Sequence, residues 1–129
     1  MHTHYSDGRA TPVELVQQAA LLGLKAIAIT DHDNVRGNVE ARHTAAALGV
    51  TLIPGIELTT YWPLLNRSVD VLAYWIDFEN LQLKSMIARI LDDLKARIEA
   101  VCQELKSSGY AINYEDAEAI NGRYVGAIN

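Results

Sequence analysis

A single cysteine in 129 residues leaves no disulfide framework to build, and Cys102 alone is compatible with a reducing compartment and a cytoplasmic location. No run approaches the roughly 18 apolar residues of a membrane span. The N-terminus lacks the apolar centre of a secretion signal, since His2, His4 and Asp7 stand there. Basic residues are outnumbered 11 to 16, for a formal charge of −5. That argues against duplex DNA or anionic membranes as partners, while leaving phosphates reachable through bound cations. Internal repeats and low-complexity tracts are missing, as are a nucleophilic Ser or Cys motif and a Gly-rich phosphate loop. What remains is globular composition, 50% hydrophobic and 21% charged, enough for one modest domain.

Within that composition the chain alternates helix and strand signals. Thr11-Pro12-Val13-Glu14 starts a helix, with Thr11 as N-cap, Pro12 at the first turn and Glu14 completing a capping box. Val13, Val16, Ala19 and Ala20 form its apolar stripe, and Gly23 ends it. Leu24 to Thr30 reads as a buried strand that stops abruptly at Asp31-His32-Asp33. A second helix is expected over Gly37 to Leu48, with Val39, Ala46 and Leu48 apolar, His43 on the surface and Gly49 as the stop. Val50 to Ile53 is the next strand, broken by Pro54-Gly55 and resumed over Ile56 to Thr60. Tyr61 to Ser68 reads as a loop and Val69 to Ile76 as a further strand. This tight spacing implies parallel βα units with right-handed crossovers. From Leu81 to Ser108 the pattern changes. Leu83, Ile87, Ile90, Leu94, Ile98, Val101 and Leu105 recur in steps of three and four, an amphipathic helix bordered by Cys102 as a packing residue. Asn113 with Asp116 caps a short helix through Ile120.

The chemistry-bearing residues cluster at the chain start and after successive strands. His2-Thr3-His4 on an extended chain would point both rings to one side, although residues so near an end are commonly mobile. His32 and Asp33 are candidate catalytic groups, able to bind metal or move protons; alone, they could equally be a polar strand-to-helix loop. Glu57, between Ile56 and Leu58, is costly inside an apolar strand unless it faces outward, is paired, or binds a cation. In a parallel sheet these loop ends lie side by side, so His2, His4, Asp7, His32, Glu57 and Asp70 are the candidate metal ligands. Mixed imidazole and carboxylate donors suit Zn²⁺, Mn²⁺ or Fe²⁺ better than Ca²⁺. A multi-metal site of this kind makes hydroxide at neutral pH and neutralises a phosphoryl group, so metal-assisted hydrolysis is the indicated reaction class.

The chain resembles the PHP (polymerase and histidinol phosphatase) superfamily, and within it the stand-alone metal-dependent phosphoesterases acting on nucleotide or short oligonucleotide phosphates. The resemblance rests on Ser6-Asp7-Gly8, Thr11-Pro12-x-Glu14-Leu15-Val16, Gly23-Leu24, Ile27-Ala28-Ile29-Thr30-Asp31-His32-Asp33, Gly37 and Glu40-Ala41, then on Leu52-Ile53-Pro54-Gly55-Ile56-Glu57-Leu58 and Leu72-Ala73-Tyr74-x-Ile76-Asp77. It implies an α/β fold, a partial, distorted (β/α)₇ barrel over residues 1–78 with an α-helical insertion or cap over 79–129. It also implies two or three divalent ions (Mn, Zn, Fe or Mg) with Asp7, His32 and Glu57 among their ligands, and a small phosphorylated substrate. A catalytically incomplete domain with a structural or binding role, and a histidinol-phosphate-type phosphatase, are the alternatives.

The chain departs from the family pattern in three places. Either His2-Thr3-His4 is the family's His-x-His pair with two residues lost before Ser6, or His2 is the second histidine in an ungapped register; the ungapped register is preferred, with the first strand and histidine upstream of Met1. Asp70 stands where the family commonly has a histidine. The later histidine and the Asp-x-His of the family lie beyond Asn129, so the match covers roughly the front half of a complete enzyme. Unpaired strand edges then imply a marginally stable, association-prone chain with weak activity or none.

Overall fold

In the computed structural model, which describes residues 1–121, helix α1 runs Pro12–Leu21 and opens with the expected capping box. Glu14 N donates to Thr11 Oγ1 at 3.1 Å, and Thr11 N donates to Glu14 Oε2 at 2.8 Å. The bond from the Thr11 backbone, reinforced by its hydroxyl, holds the Glu14 carboxyl below its ordinary pKa. The buried face is Pro12, Leu15, Val16 and Ala19, with Val13 only half-buried. Strand β1 (Ala26–Ile29) follows, then α2 (Arg36–Leu48), closed by Gly49 in the left-handed region at φ 68°.

Helix α2 buries a different face from the one its large apolar residues indicate. Gly37, Asn38, Ala41 and Ala45 face inward, while Val39, Ala46 and Leu48 are exposed. Small residues at 37, 41 and 45 let the helix approach the sheet closely. A Cβ added at Gly37 would collide with Asp31 Oδ2 and come within 3.0 Å of Ile29 Cγ2. Val16, Ala19, Ile27, Ile29, Ala41, Ala45 and Val50 make one continuous core between α1, α2 and β1.

Strand β2 is a single 12-residue run, Thr51–Trp62, so Pro54-Gly55 does not break it. Instead the strand changes partners there. Residues 51–54 pair parallel with β1, from Ala26↔Thr51 to Ile29↔Pro54. Residues 55–62 pair antiparallel with β3 (Arg67–Tyr74), from Gly55↔Tyr74 to Trp62↔Arg67. Pro54 therefore lies just outside the β3 ladder, which ends where Trp75 turns to φ 58°, and its missing N–H is tolerated. Only β1 and β2 form the expected parallel βα unit. The expected loop over 61–68 shrinks to a four-residue hairpin turn at 63–66. The sheet order is β1-β2-β3, and β3 leaves Val71, Leu72 and Tyr74 exposed.

The long helix α3 (Leu81–Ser107) starts at Asn80, whose side chain accepts from Gln82 N and Leu83 N. Just before it, a hydrogen bond from Lys84 holds the exposed Glu79 carboxyl below its ordinary pKa. Ile87 packs with Val35 and Ile56, so α3 covers the face of β2 opposite Glu57. Farther along, Leu94, Ile98 and Cys102 meet Tyr114 of α4 (Tyr114–Asn121). Helix α4 opens with reciprocal bonds between Asn113 and Asp116. Residues 122–129 of the expected helical segment lie outside the described residues. Among the described residues no helix is long and apolar enough to cross a membrane.

Candidate metal centre

Beyond Ile29 the chain leaves β1 but stays beside β2. Glu57 N donates to Asp31 O at 3.2 Å and Asp33 N donates to Glu57 O at 2.9 Å, which sets His32 opposite Glu57 in a parallel bridge. Residues so paired lie about 4.8 Å apart with side chains on the same face. The main chain itself therefore brings this imidazole and this carboxylate together. Asp33 turns at φ 47°, and its Oδ1 accepts from Thr59 N at 3.0 Å, tying the loop to the next step of β2.

The first residues complete the cluster from the other edge of β1. Met1 lies along that edge, its amine donating to Ala28 O at 3.0 Å and its carbonyl accepting from Thr30 N at 2.9 Å. Thr3 is fully buried and donates both its N–H and its hydroxyl to the equally buried Asp31 carboxylate, the hydroxyl at 2.7 Å. Ser6 Oγ adds a third donor at 2.8 Å. Anchored this way, His2 points Nε2 at Glu57 Oε2, 3.0 Å off, and Nδ1 at Asp7 Oδ1, 2.9 Å off. Its ring centroid lies 5.0 Å from that of His32. One donor atom from each of His2, His32 and Glu57 falls within 4.8 Å of the others, all three residues being half-buried.

Two imidazole nitrogens and a carboxylate oxygen at this spacing can hold a divalent cation. Asp7 sits on the far nitrogen of His2, the position from which a carboxylate orients a ligating imidazole. His4 lies elsewhere. The chain turns over residues 4–7 instead of staying extended, so the His4 ring stacks on Tyr5 at 4.3 Å, and its Nδ1 is buried without a hydrogen-bond partner. Asp70 is exposed on β3, opposite Thr59.

Sequence reasoning missed two structural supports of the cluster. Asp31 grips the N-terminal segment through Thr3 and Ser6. Asn38, fully buried, donates to Gly55 O at 2.9 Å and accepts from Gly55 N at 3.3 Å, satisfying the peptide where β2 changes partners. An Asn within a helix, where its propensity is poor, was the available signal for that role.

The PHP domain family profile matches residues 1–72. A 5′-3′ exoribonuclease of Haemophilus influenzae is 28% identical over 119 residues, 92% of this chain and 43% of that protein. A 3′,5′-nucleoside bisphosphate phosphatase of Chromobacterium violaceum is 28% identical over 116 residues, 90% of this chain and 40% of that protein. Among solved structures, a protein of Bifidobacterium adolescentis described as a metal-dependent phosphoesterase superposes with a TM-score of 0.72 at 34% identity, covering 94% of this chain and 41% of its own. The chain thus spans about two fifths of the length of these relatives. With the profile covering more than half of its residues and a solved relative sharing its α/β architecture as part of a larger barrel, the chain belongs to the PHP domain family.

Proposed function

We propose that this chain carries the metal-binding portion of a phosphoesterase that hydrolyses phosphate esters of nucleotides or short oligonucleotides. The observation that carries the reading is the convergence of His2, His32 and Glu57 from three separate segments within 4.8 Å. The names of the relatives, an exoribonuclease and a nucleoside bisphosphate phosphatase, support the substrate class. His2, His32 and Glu57 would hold the cation, and their N, N, O donor set fits Mn²⁺, Zn²⁺ or Fe²⁺. When bound, such a cation supplies charge that polarises a phosphoryl oxygen and acidifies water. Asp7 orients the His2 ring through Nδ1, and Asp33 keeps β2 in register through Thr59. Asp70 shares the Glu57 face of the sheet two positions along, and we assign it to a second ion. Residues 1–78 act as the barrel portion and 79–129 as a helical cap. The compartment assigned is the cytoplasm, where Cys102 stays reduced.

The test is calorimetric titration of the full chain with Mn²⁺. Asp7→Asn is expected to weaken binding about tenfold, the effect of removing an outer-shell partner, and Glu57→Gln more than that. Hydrolysis of a nucleotide phosphate should rise with metal occupancy. Parent and Glu57→Gln proteins binding Mn²⁺ equally well would remove the proposed centre.

A further inference from the structure

The turn over residues 4–7 carries Asp7 to the far nitrogen of His2. The Asp7 side chain is 61% exposed, so its place on that nitrogen depends on how firmly the turn is held. On the inner side Thr3 and Ser6 end on Asp31. On the outer side Tyr5 meets the start of α2. Arg36 and Glu40 stand one helical turn apart on that helix, and so on one face. The Tyr5 ring lies 4.8 Å from the Arg36 guanidinium, and its hydroxyl donates to Glu40 Oε2 at 2.7 Å. A cation over an aromatic face and a charge-assisted hydrogen bond both attract. Together they set where the ring lies and which way it points. The backbone is held as well. Tyr5 O accepts from Asn34 Nδ2 at 3.2 Å, while Asn34 Oδ1 accepts from Arg36 N at 3.0 Å and Arg36 Nε at 3.3 Å. Asn34 is buried and stands two residues past His32. Tyr5 therefore ties the segment carrying His2 and Asp7 to the segment carrying His32.

We propose that Tyr5 is a positioning residue for the metal centre, acting through the turn that seats Asp7 on His2. The inference rests on the metal-binding reading above and extends it to a clasp with two jaws on α2, Arg36 on the ring and Glu40 on the hydroxyl. The clasp limits the swing of the turn about its Asp31 anchor. Asp7 then stays on Nδ1, and His2 keeps Nε2 aimed at Glu57. Groups held in place beforehand lose less freedom when an ion binds, so the clasp raises ion affinity. The ring contributes more than the hydroxyl, whose bond to Glu40 is exposed to water.

The experiment is calorimetric titration of the full chain and its variants with Mn²⁺, with urea unfolding of the metal-free proteins alongside. Tyr5→Ala is expected to weaken Mn²⁺ binding about tenfold, the low end of what losing an outer-shell partner costs. Tyr5→Phe keeps the ring and should weaken it about twofold, within the scale of one exposed hydrogen bond. Arg36→Gln, at an exposed position, removes the charge over the ring and should weaken it about threefold; it carries the test if Tyr5→Ala does not fold. Leu94→Ala, in the separate core between α3 and α4, should lower the urea midpoint at least as far as Tyr5→Ala does, yet leave Mn²⁺ affinity within about twofold of the parent. On an Asp7→Asn background Tyr5→Ala should weaken binding by less than about twofold more, because the group it seats is already gone. With Co²⁺ as the probe, the visible absorption bands, which report ligand geometry, should move in Tyr5→Ala and stay in Leu94→Ala. Parental Mn²⁺ affinity in both Tyr5→Ala and Arg36→Gln, an equal loss in Leu94→Ala, or the full loss on the Asp7→Asn background overturns the clasp while the metal centre stands. A parent that binds no Mn²⁺ overturns the metal centre and the clasp with it.

Discussion

Removing the buried carboxylate of Asp31 should loosen the N-terminal segment and, through it, the metal cluster. Three donors end on that group: Thr3 N, Thr3 Oγ1 and Ser6 Oγ. A hydrogen bond to a charged group contributes about 1.5–3 kcal/mol, and a buried donor left unpaired costs a comparable amount. The three do not simply add, because a loosened loop readmits water. Asp31→Asn keeps the volume and one carbonyl oxygen, so it should cost about 2 kcal/mol; Asp31→Ala should cost about 4 kcal/mol. Urea unfolding followed by circular dichroism at the helix band measures both. The second consequence is local. Thr3 is next to His2, so Asp31→Asn should also weaken Mn²⁺ binding about tenfold, as loss of an orienting partner does, in conditions where the protein is still folded. An Asp31→Asn protein within about 0.5 kcal/mol of the parent, the range of an unremarkable surface substitution, and with parental Mn²⁺ affinity would refute the idea that this network positions His2.

Two further perturbations test the supports around the site. Asn38→Ala removes both bonds to the Gly55 peptide at a fully buried position and should destabilise the chain by about 2–3 kcal/mol in the same urea assay. Glu14 has a lowered pKa in the folded chain, so its contribution is present above the ordinary carboxylate pKa and is lost as pH falls through its depressed folded value; an NMR titration of Glu14 should find the midpoint below that of a model peptide, and Thr11→Ala, which removes the hydroxyl but keeps the backbone donor, should raise it only part of the way.

Signals confined to a few neighbouring residues were legible in the sequence. The Thr11–Glu14 box, the α3 helix and the Asn113–Asp116 pair form as read, because each depends only on residues within a turn or two, although Val101 and Leu105 of the α3 stripe are exposed and Cys102 is buried beside Ile98. The expectation of chemistry at His32 and Glu57 came from polar groups beside apolar strands, and the backbone bridge places the two together. What could not be read depends on partners far along the chain. Pro54-Gly55 looks like an end until β3 is known to take over the pairing. The inward face of α2 is lined by small residues, whose value lies in close approach and not in apolar bulk. Asp31 and His32 are adjacent polar residues, but one is sealed under Thr3 and the other faces Glu57; burial of that kind is a property of the assembled fold. The turn at residues 4–7 likewise separates His4 from His2 despite their matched spacing on an extended chain.

The separation between positions 32 and 57 is dictated by peptide groups and owes little to how the surrounding side chains happen to fill space. Such a frame keeps its dimensions when its occupants change. Cysteine, aspartate or a second histidine could be exchanged at either point, leaving the strands as they are and altering only which ion is preferred. The arrangement thus offers a fixed gauge on which affinity for one element or another can be tuned, in nature or at the bench, by single-residue replacement.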